Sequence, residues 1–294
     1  MRVPRACYRT FFVAGLAAAA AAAAVIPAGA SVPTARPGIA AAAGHAAPLV
    51  TDARPAAAAK AGLGAPAMTT AMRAANARKQ AAVLALLQLK ASRLTTPPKC
   101  TTLACRAGLP PARNLAGTQQ AQALGYFCGP ATVTEMLAQV GVRISQAAAA
   151  RQLGTNPSGT NWSDASGYPV PRVLNHNQKR NAYVAVALPW TPTAAQISTY
   201  ETDLVADVNY NGGVPLAGNA YEVAGGPHLI GNPISQTIMH WFDIRGYQKY
   251  GAITDYEDSV HGATSIGWAL TVPAYSSMPS GVIADIVGAR GYDW

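Results

Sequence analysis

The sequence predicts an α+β domain of roughly 185 residues, from about residue 110 to the end, long enough to bury a real core. Three observations predict it. Val133, Met136, Leu137, Val140 and Ile144 recur at helical spacing early in this stretch. Strand-like runs follow: 181-NAYVAVAL-188, 214-VPLAGNAYEV-223, 238-IMHWFDIRGY-247 and 265-SIGWALTV-272, with Asn-Gly-Gly, Gly-Gly-Pro and Gly-Ala segments between them. Aromatic residues draw the boundary, because none lies between Val13 and Gly125 and all five tryptophans lie between 162 and 294. Helices first and strands afterwards is the α+β pattern. No internal repeat is present.

In chain order, residues 1–30 read as an export signal: Arg2, Arg5 and Arg9 precede the apolar run 11-FFVAGLAAAAAAAAVI-26, and 28-AGA-30 supplies small residues for cleavage. Cys7 lies ahead of that run, away from any cleavage point. No later stretch is long and apolar enough to span a bilayer, so a secreted, extracellular protein without an integral membrane span is expected. Residues 31–110 read as an Ala/Pro-rich basic linker or prosegment, with little to build a core from. Within it, 68-MTTAMRAANARKQAAVLALLQLKASRL-94 is helix-prone, with Thr69 or Thr70 to cap it and Pro97-Pro98 to stop it. It reads as a partly ordered spacer, a prosegment helix lying over an active site, or a basic helix for an anionic surface such as a cell wall. The catalytic domain is expected over residues 111–294.

The net charge of +9 divides unevenly: residues 1–100 hold 12 Lys/Arg and one acidic residue, whereas 101–294 hold 10 against 12. Basicity thus belongs to the N-terminal part, and a nucleic-acid surface on the folded domain is excluded. No phosphate-binding GxxxxGK[ST] loop occurs.

Cys100 and Cys105 flank 101-TTLA-104 and can close a small disulfide loop; a zinc site would need further ligands that are absent nearby. That leaves Cys128 as an odd thiol. One reading is a buried, inert cysteine, which behaves as a small hydrophobe. The other follows from 127-FCGPA-131: Pro130 suits a first helical turn, which puts Cys128 at the mouth of a helix running to about Val140. Unpaired N–H groups and the positive dipole end favour thiolate there. Gly129 allows close approach of a substrate, and Gln122 is in reach to help an oxyanion alongside the Cys128 N–H.

Of the five histidines, His45 lies in the linker and His176 and His261 in polar or glycine-rich loops. His228, in 225-GGPHL-229, is a groove residue, surface decoration or a second candidate base. His240 heads a strand that alternates His240, Phe242 and Ile244 on one face with Trp241, Asp243 and Arg245 on the other. Alone, it reads first as a structural histidine; the candidate nucleophile and the resemblance given below favour it as a base.

The motif series Gln122…Cys128-Gly-Pro-Ala, His240-Trp-Phe-Asp-Ile-Arg-Gly-Tyr and 254-TDYEDS-259 resembles the papain-superfamily cysteine peptidases, and within them the branch related to bacteriocin double-glycine leader peptidases. A narrower resemblance, to a secreted actinobacterial set in that family, rests on 158-SGTNW-162, 225-GGPHL-229 and the terminal 289-ARGYDW-294. It covers about 115–294. The resemblance implies a papain-like fold, with the nucleophile at the N-terminus of a helix packed against an antiparallel β-sheet. It also implies roles: Gln122 as oxyanion donor, Cys128 as nucleophile, His240 as base, and Asp258 as the group accepting the imidazole Nδ1–H. The proline that usually follows the third member is absent, Asp255 competes with Asp258, and Glu257 reads as solvated surface. No cofactor or metal is expected, and a peptide or protein is the expected substrate. The expected chemistry is acyl transfer through a Cys-His-Asp acyl-enzyme. Alternatives are a papain-fold cell-wall amidase or transglutaminase-like enzyme, or a catalytically idle wall- or partner-binding domain. Leader processing within a transporter is excluded. Trp162, Tyr168 and Trp241 read as core before cleft.

Overall fold

The structure is a computed structural model describing residues 68–96, 98–210 and 212–294, all within the second of the chain's two units, His45–Trp294. The expected export signal and most of the linker lie outside the described residues. A seven-stranded, wholly antiparallel sheet organises the domain. Along it, β2 (Ala185–Ala187), β7 (Gly291–Asp293), β3 (Leu216–Glu222), β4 (Ile238–Gln248), β5 (Ile253–Glu257) and β6 (Tyr275–Pro279) lie in that order. The short β1 (Arg113–Asn114) pairs with the end of β4, at Tyr247 and Gly246, where β3 has run out.

Both sheet faces are buried. On one, α3 (Cys128–Gln139), α4 (Gln146–Leu153) and α5 (Pro169–Asn177) contribute Val133, Met136, Leu137, Leu153, Val170 and Leu174 to a core shared with Trp162 and Trp241. On the other, α6 (Ala194–Asn209) and α7 (Ser280–Ile286) set Tyr200, Leu204, Val205, Val208 and Ile283 against Phe242, Ile244, Tyr256 and Tyr292. The period-2 alternation of β4 therefore separates Trp241 from Phe242 and Ile244 as its sequence indicates. The expected α+β architecture, a helix carrying Cys128 on an antiparallel sheet, is what the chain forms.

Four local expectations differ. The stretch 265–272 is no strand: Ala269, Thr271 and Val272 donate backbone bonds three residues back, forming a short 3-10 turn at Ala269–Thr271. Its apolar residues close a small separate cluster with Val260 and Ala263, so their alternation serves a compact loop and no sheet partner. The order is also not helices then strands, since α6 intervenes between β2 and β3. Its Ile197, Tyr200, Leu204, Val205 and Val208 have helical spacing, and Thr193 and Gln196 form a capping box. His176 lies in α5, where a loop was expected.

The fourth concerns α1 (Thr70–Ser92), capped by Thr69 Oγ1 from Met72 N at 3.2 Å. The helix expected within 68–94 forms, but packed against the domain, not as a partly ordered spacer. Leu87 is fully buried, Met68 and Met72 touch one core and Val83 the other, so the helix lies across the β2 edge of the sheet. Lys79 Nζ bonds Asp207 at 3.0 Å and sits 4.2 Å from the Trp294 ring centre, while Trp294 Nε1 donates to Asn76 at 2.9 Å. Cys100 and Cys105 form a disulfide that ties the short α2 (Leu103–Arg106), which contains Cys105, to the residues before it. Among the described residues no helix is long and apolar enough to cross a membrane.

Candidate active site

The site lies where β5 parts from β4. The two strands pair from Gln248↔Ile253 to Asp243↔Glu257, and Asp258 is the first residue beyond β5. The His240–Trp241 stretch of β4 thus keeps β3 on one side, paired at Ala220 and Asn219, but not β5 on the other. The N-terminus of α3 enters there. Cys128 is its first residue, Phe127 gives no side-chain cap, and no acidic residue occupies the first turn. The unsatisfied N–H groups and positive dipole end are therefore left to act on the sulfur.

His240 hydrogen-bonds Cys128, as do the backbone N–H groups of Trp241 and Gly129. His240 Nε2 lies 2.8 Å from Asp258 Oδ1. All three groups are buried, with relative exposures of 9%, 4% and 1% for Cys128, His240 and Asp258. Burial alone would push the Cys128 thiol up, but the hydrogen bond and charge of His240, then the two backbone N–H groups, outweigh it and leave the thiol below its ordinary value. Burial opposes charge on His240 as well; the charge and hydrogen bond of Asp258, then Cys128, hold the imidazole well above its ordinary value. Thiolate and imidazolium thus favour one another.

The ring is turned opposite to expectation. Nε2, not Nδ1, faces the carboxylate, which assigns Nδ1 to the sulfur side. Asp255 does not compete: its Oδ1 accepts from Gln248 Nε2 at 2.8 Å and from the Ser277 hydroxyl, away from His240. Gln122 is buried and its N–H donates to Ser259 O at 2.8 Å, which ties it to the residue after Asp258. One proton of its amide goes to Leu124 O at 2.8 Å. Cys128, His240 and Asp258 therefore come together, and Gln122 is tied beside them through Ser259.

Gly129 does not open space for a substrate. A Cβ there would lie 2.3 Å from Thr160 Oγ1, so Thr160 fills the position and only glycine fits. Thr160 O also accepts Trp241 Nε1 at 3.0 Å, locking the 158–162 loop over the helix start. Trp162 stacks on Trp241 at 5.7 Å and meets Tyr168 edge-on at 5.1 Å, so all three are core. His261 Nδ1 lies 2.8 Å from Val272 O in the loop after Asp258.

Behind the triad lies a layer that inspection of single motifs misses. Glu135, Asp243 and Glu257, all fully buried, bring carboxylate oxygens within 4.8 Å of one another. Glu257, expected on the surface, accepts from Thr118 N at 3.0 Å and from Thr118 Oγ1 at 2.7 Å. Gln139 Nε2 donates to Asp243 at 2.6 Å and Glu257 at 3.1 Å, and Gln120 N donates to Glu135 at 2.8 Å. The Gln139 amide thus bridges Asp243 and Glu257 with N–H donors. Burial first, then the charges of Glu257 and Glu135, hold the Asp243 carboxyl well above the usual range; burial and then Glu257 do the same for Glu135. One sequence signal was available: Glu135 follows Cys128 by seven residues, two helical turns along the same face.

A family model described as the Peptidase_C39-like family matches residues 114–269, just over half of the chain, from β1 to the 3-10 turn. The chain belongs to the Peptidase_C39-like family. That family's matched stretch contains Gln122, Cys128, His240 and Asp258 together with the carboxylate layer. It omits α1 and the C-terminal β6, α7 and β7, so the edge-covering helix and the central strand β7 lie outside the match. No curated protein matches the chain. Membership gives a cysteine peptidase-like function in the coarse sense.

Proposed function

We propose that this C39-like protein is an exported cysteine peptidase that hydrolyses peptide bonds through a Cys128–His240–Asp258 acyl-enzyme. The observation that carries the reading is one continuous chain of contacts: Cys128 hydrogen-bonded to His240, and His240 Nε2 held 2.8 Å from Asp258 Oδ1. The lowered thiol and raised imidazole are what a reactive cysteine needs. In the reaction the thiolate attacks the scissile carbonyl carbon, forming a C–S bond, and the electron pair of the carbonyl moves to oxygen. The Cys128 N–H and the second Nε2 proton of Gln122 stabilise that oxyanion. His240 gives its proton to the leaving amine as the C–N bond breaks. It then takes a proton from the water that attacks the thioester, and the carboxylic acid departs with Cys128 restored. Asp258 keeps the ring oriented throughout. Export follows from the leader-like first thirty residues.

The test is iodoacetamide alkylation of Cys128 against pH, beside His240→Ala, followed by hydrolysis of a peptide library. Fast labelling persisting to about pH 5–6 and lost in the variant supports the pair; an ordinary thiol profile in both proteins refutes it.

A further inference from the structure

Residues 223–237 connect β3 to β4 and deliver the chain to His240. Inside this loop His228 is buried, and both its ring nitrogens face carbonyl oxygens: Nδ1 lies 2.9 Å from Gly226 O, and Nε2 lies 2.8 Å from Gln236 O. A carbonyl only accepts, and a neutral imidazole has a single N–H. Both contacts are hydrogen bonds only if both nitrogens carry protons, so the geometry selects imidazolium. A buried cation requires a counter-charge. Glu222, fully buried at the end of β3, puts Oε2 3.9 Å from His228 Nε2.

Among the described residues, every other hydrogen-bonding contact of Glu222 is a donor. Leu229 N lies 3.2 Å away and Asn232 Nδ2 reaches its two oxygens at 2.9 and 3.0 Å. Acceptors around the histidine and donors around the carboxylate select the ionised pair. One carboxylate thereby holds the loop at three points, and the imidazolium joins its two ends, Gly226 and Gln236. Register brings this pair to the active site. Glu222 lies opposite Ile238 and Ala220 opposite His240, so Glu222 and His240 project from the same sheet face as diagonal neighbours.

We propose that Glu222 and His228 form a buried ion pair that positions His240, fixing the loop that leads into it and giving its imidazole a second negative neighbour besides Asp258. This inference rests on the reading of His240 as the base. The groups facing the pair are few. Glu222 is flanked by His228, by His240 on β4 and by Tyr256 on β5, whose hydroxyl accepts Ile230 N at 2.9 Å. His240 in turn faces Asp258 and Cys128, with Glu135 behind. Burial raises the Glu222 carboxyl, and with Asn232, His240, His228 and the Leu229 N–H pulling the other way it comes to about 7.

The experiment is imidazole ¹⁵N NMR of the full chain, wild type and Glu222→Gln, with Cys128 alkylation rates measured alongside. Expected are two protonated nitrogens on His228 at pH 6.5. The His240 midpoint should fall by about one pH unit in Glu222→Gln, the effect of removing one nearby buried charge, with several-fold slower alkylation at pH 8. A singly protonated His228, or an unmoved His240 midpoint in a folded Glu222→Gln, overturns the inference while leaving the peptidase reading intact. Should Glu222→Gln not fold, the His228 nitrogens of the wild type decide. An ordinary His240 midpoint in the wild type would instead defeat the peptidase reading, and His228 would still report on the pair.

Discussion

Asp258 Oδ1 lies 2.8 Å from His240 Nε2 and accepts a second hydrogen bond, at 2.9 Å, from the backbone N–H of Val260. The carboxylate is thus fixed by its own loop before it fixes the imidazole. Asp258→Asn keeps an acceptor for Nε2–H but removes the charge, whereas Asp258→Ala removes both. We expect kcat/KM to fall in both, by up to about 10⁴-fold, and further for the second than for the first. The alkaline limb of the alkylation profile should move down in both, because the His240 proton is held less tightly. Equal losses in the two variants would mean that charge alone matters and the hydrogen bond does not.

Gly129→Ala should destabilise the protein by about 1–3 kcal/mol, the usual cost of overpacking, because the new methyl meets Thr160. Thr160→Gly in the same chain should recover most of the loss. Urea unfolding midpoints of the two single variants and the double variant measure this coupling directly.

Of the candidate site residues, Cys128 was legible from its Gly-Pro helix start, whereas His240 and Asp258 were singled out by the resemblance of their motifs, because a strand head and the end of a strand serve a structural residue equally well. Ring orientation was not legible, since it depends on which side of β4 lost its strand neighbour. Nor was the carboxylate layer. Glu135 and Asp243 are separated by over a hundred residues, and a lone Glu257 looks like surface until register sets it opposite Asp243. The 265–272 stretch misled for the converse reason, since its alternation is real but no strand stands beside it to pair.

That carboxylate layer predicts an unusual pH dependence of stability. Glu135 and Asp243 have folded-state values raised above their unfolded ones, so the native state holds their protons more tightly. Their contribution to stability is complete below the unfolded value, about 4, and is lost as pH rises toward the folded values. Glu135→Gln, which removes one such proton site, should therefore gain in relative stability from pH 5 to pH 8. Denaturant melts at the two pH values test it; a constant difference between wild type and variant would contradict it.

Helix α1 is held by Lys79, whose side chain is only 15% exposed, against Asp207. Lys79→Met should cost about 2–4 kcal/mol, because Asp207 is left buried without its partner. Asp203, beside it, accepts from Gln80 and from the Tyr292 hydroxyl, and burial raises it to about 8. Its raised value means that its contribution fades as pH rises toward 8 and beyond. Hydrogen exchange of α1 amides, corrected for the intrinsic rate, should consequently show looser docking at pH 9 than at pH 6, and more so in the variant.

The position of β7 between β2 and β3 sets a timetable. In the sheet β2 pairs with β7 alone, and β7 is made roughly a hundred residues after β2. During synthesis the β3–β4–β5 hairpins can close as soon as they emerge, but β2 has nothing to join, and the sheet stays split until the Gly291–Asp293 segment arrives to bridge it. The delay in completing the sheet is written into strand order itself.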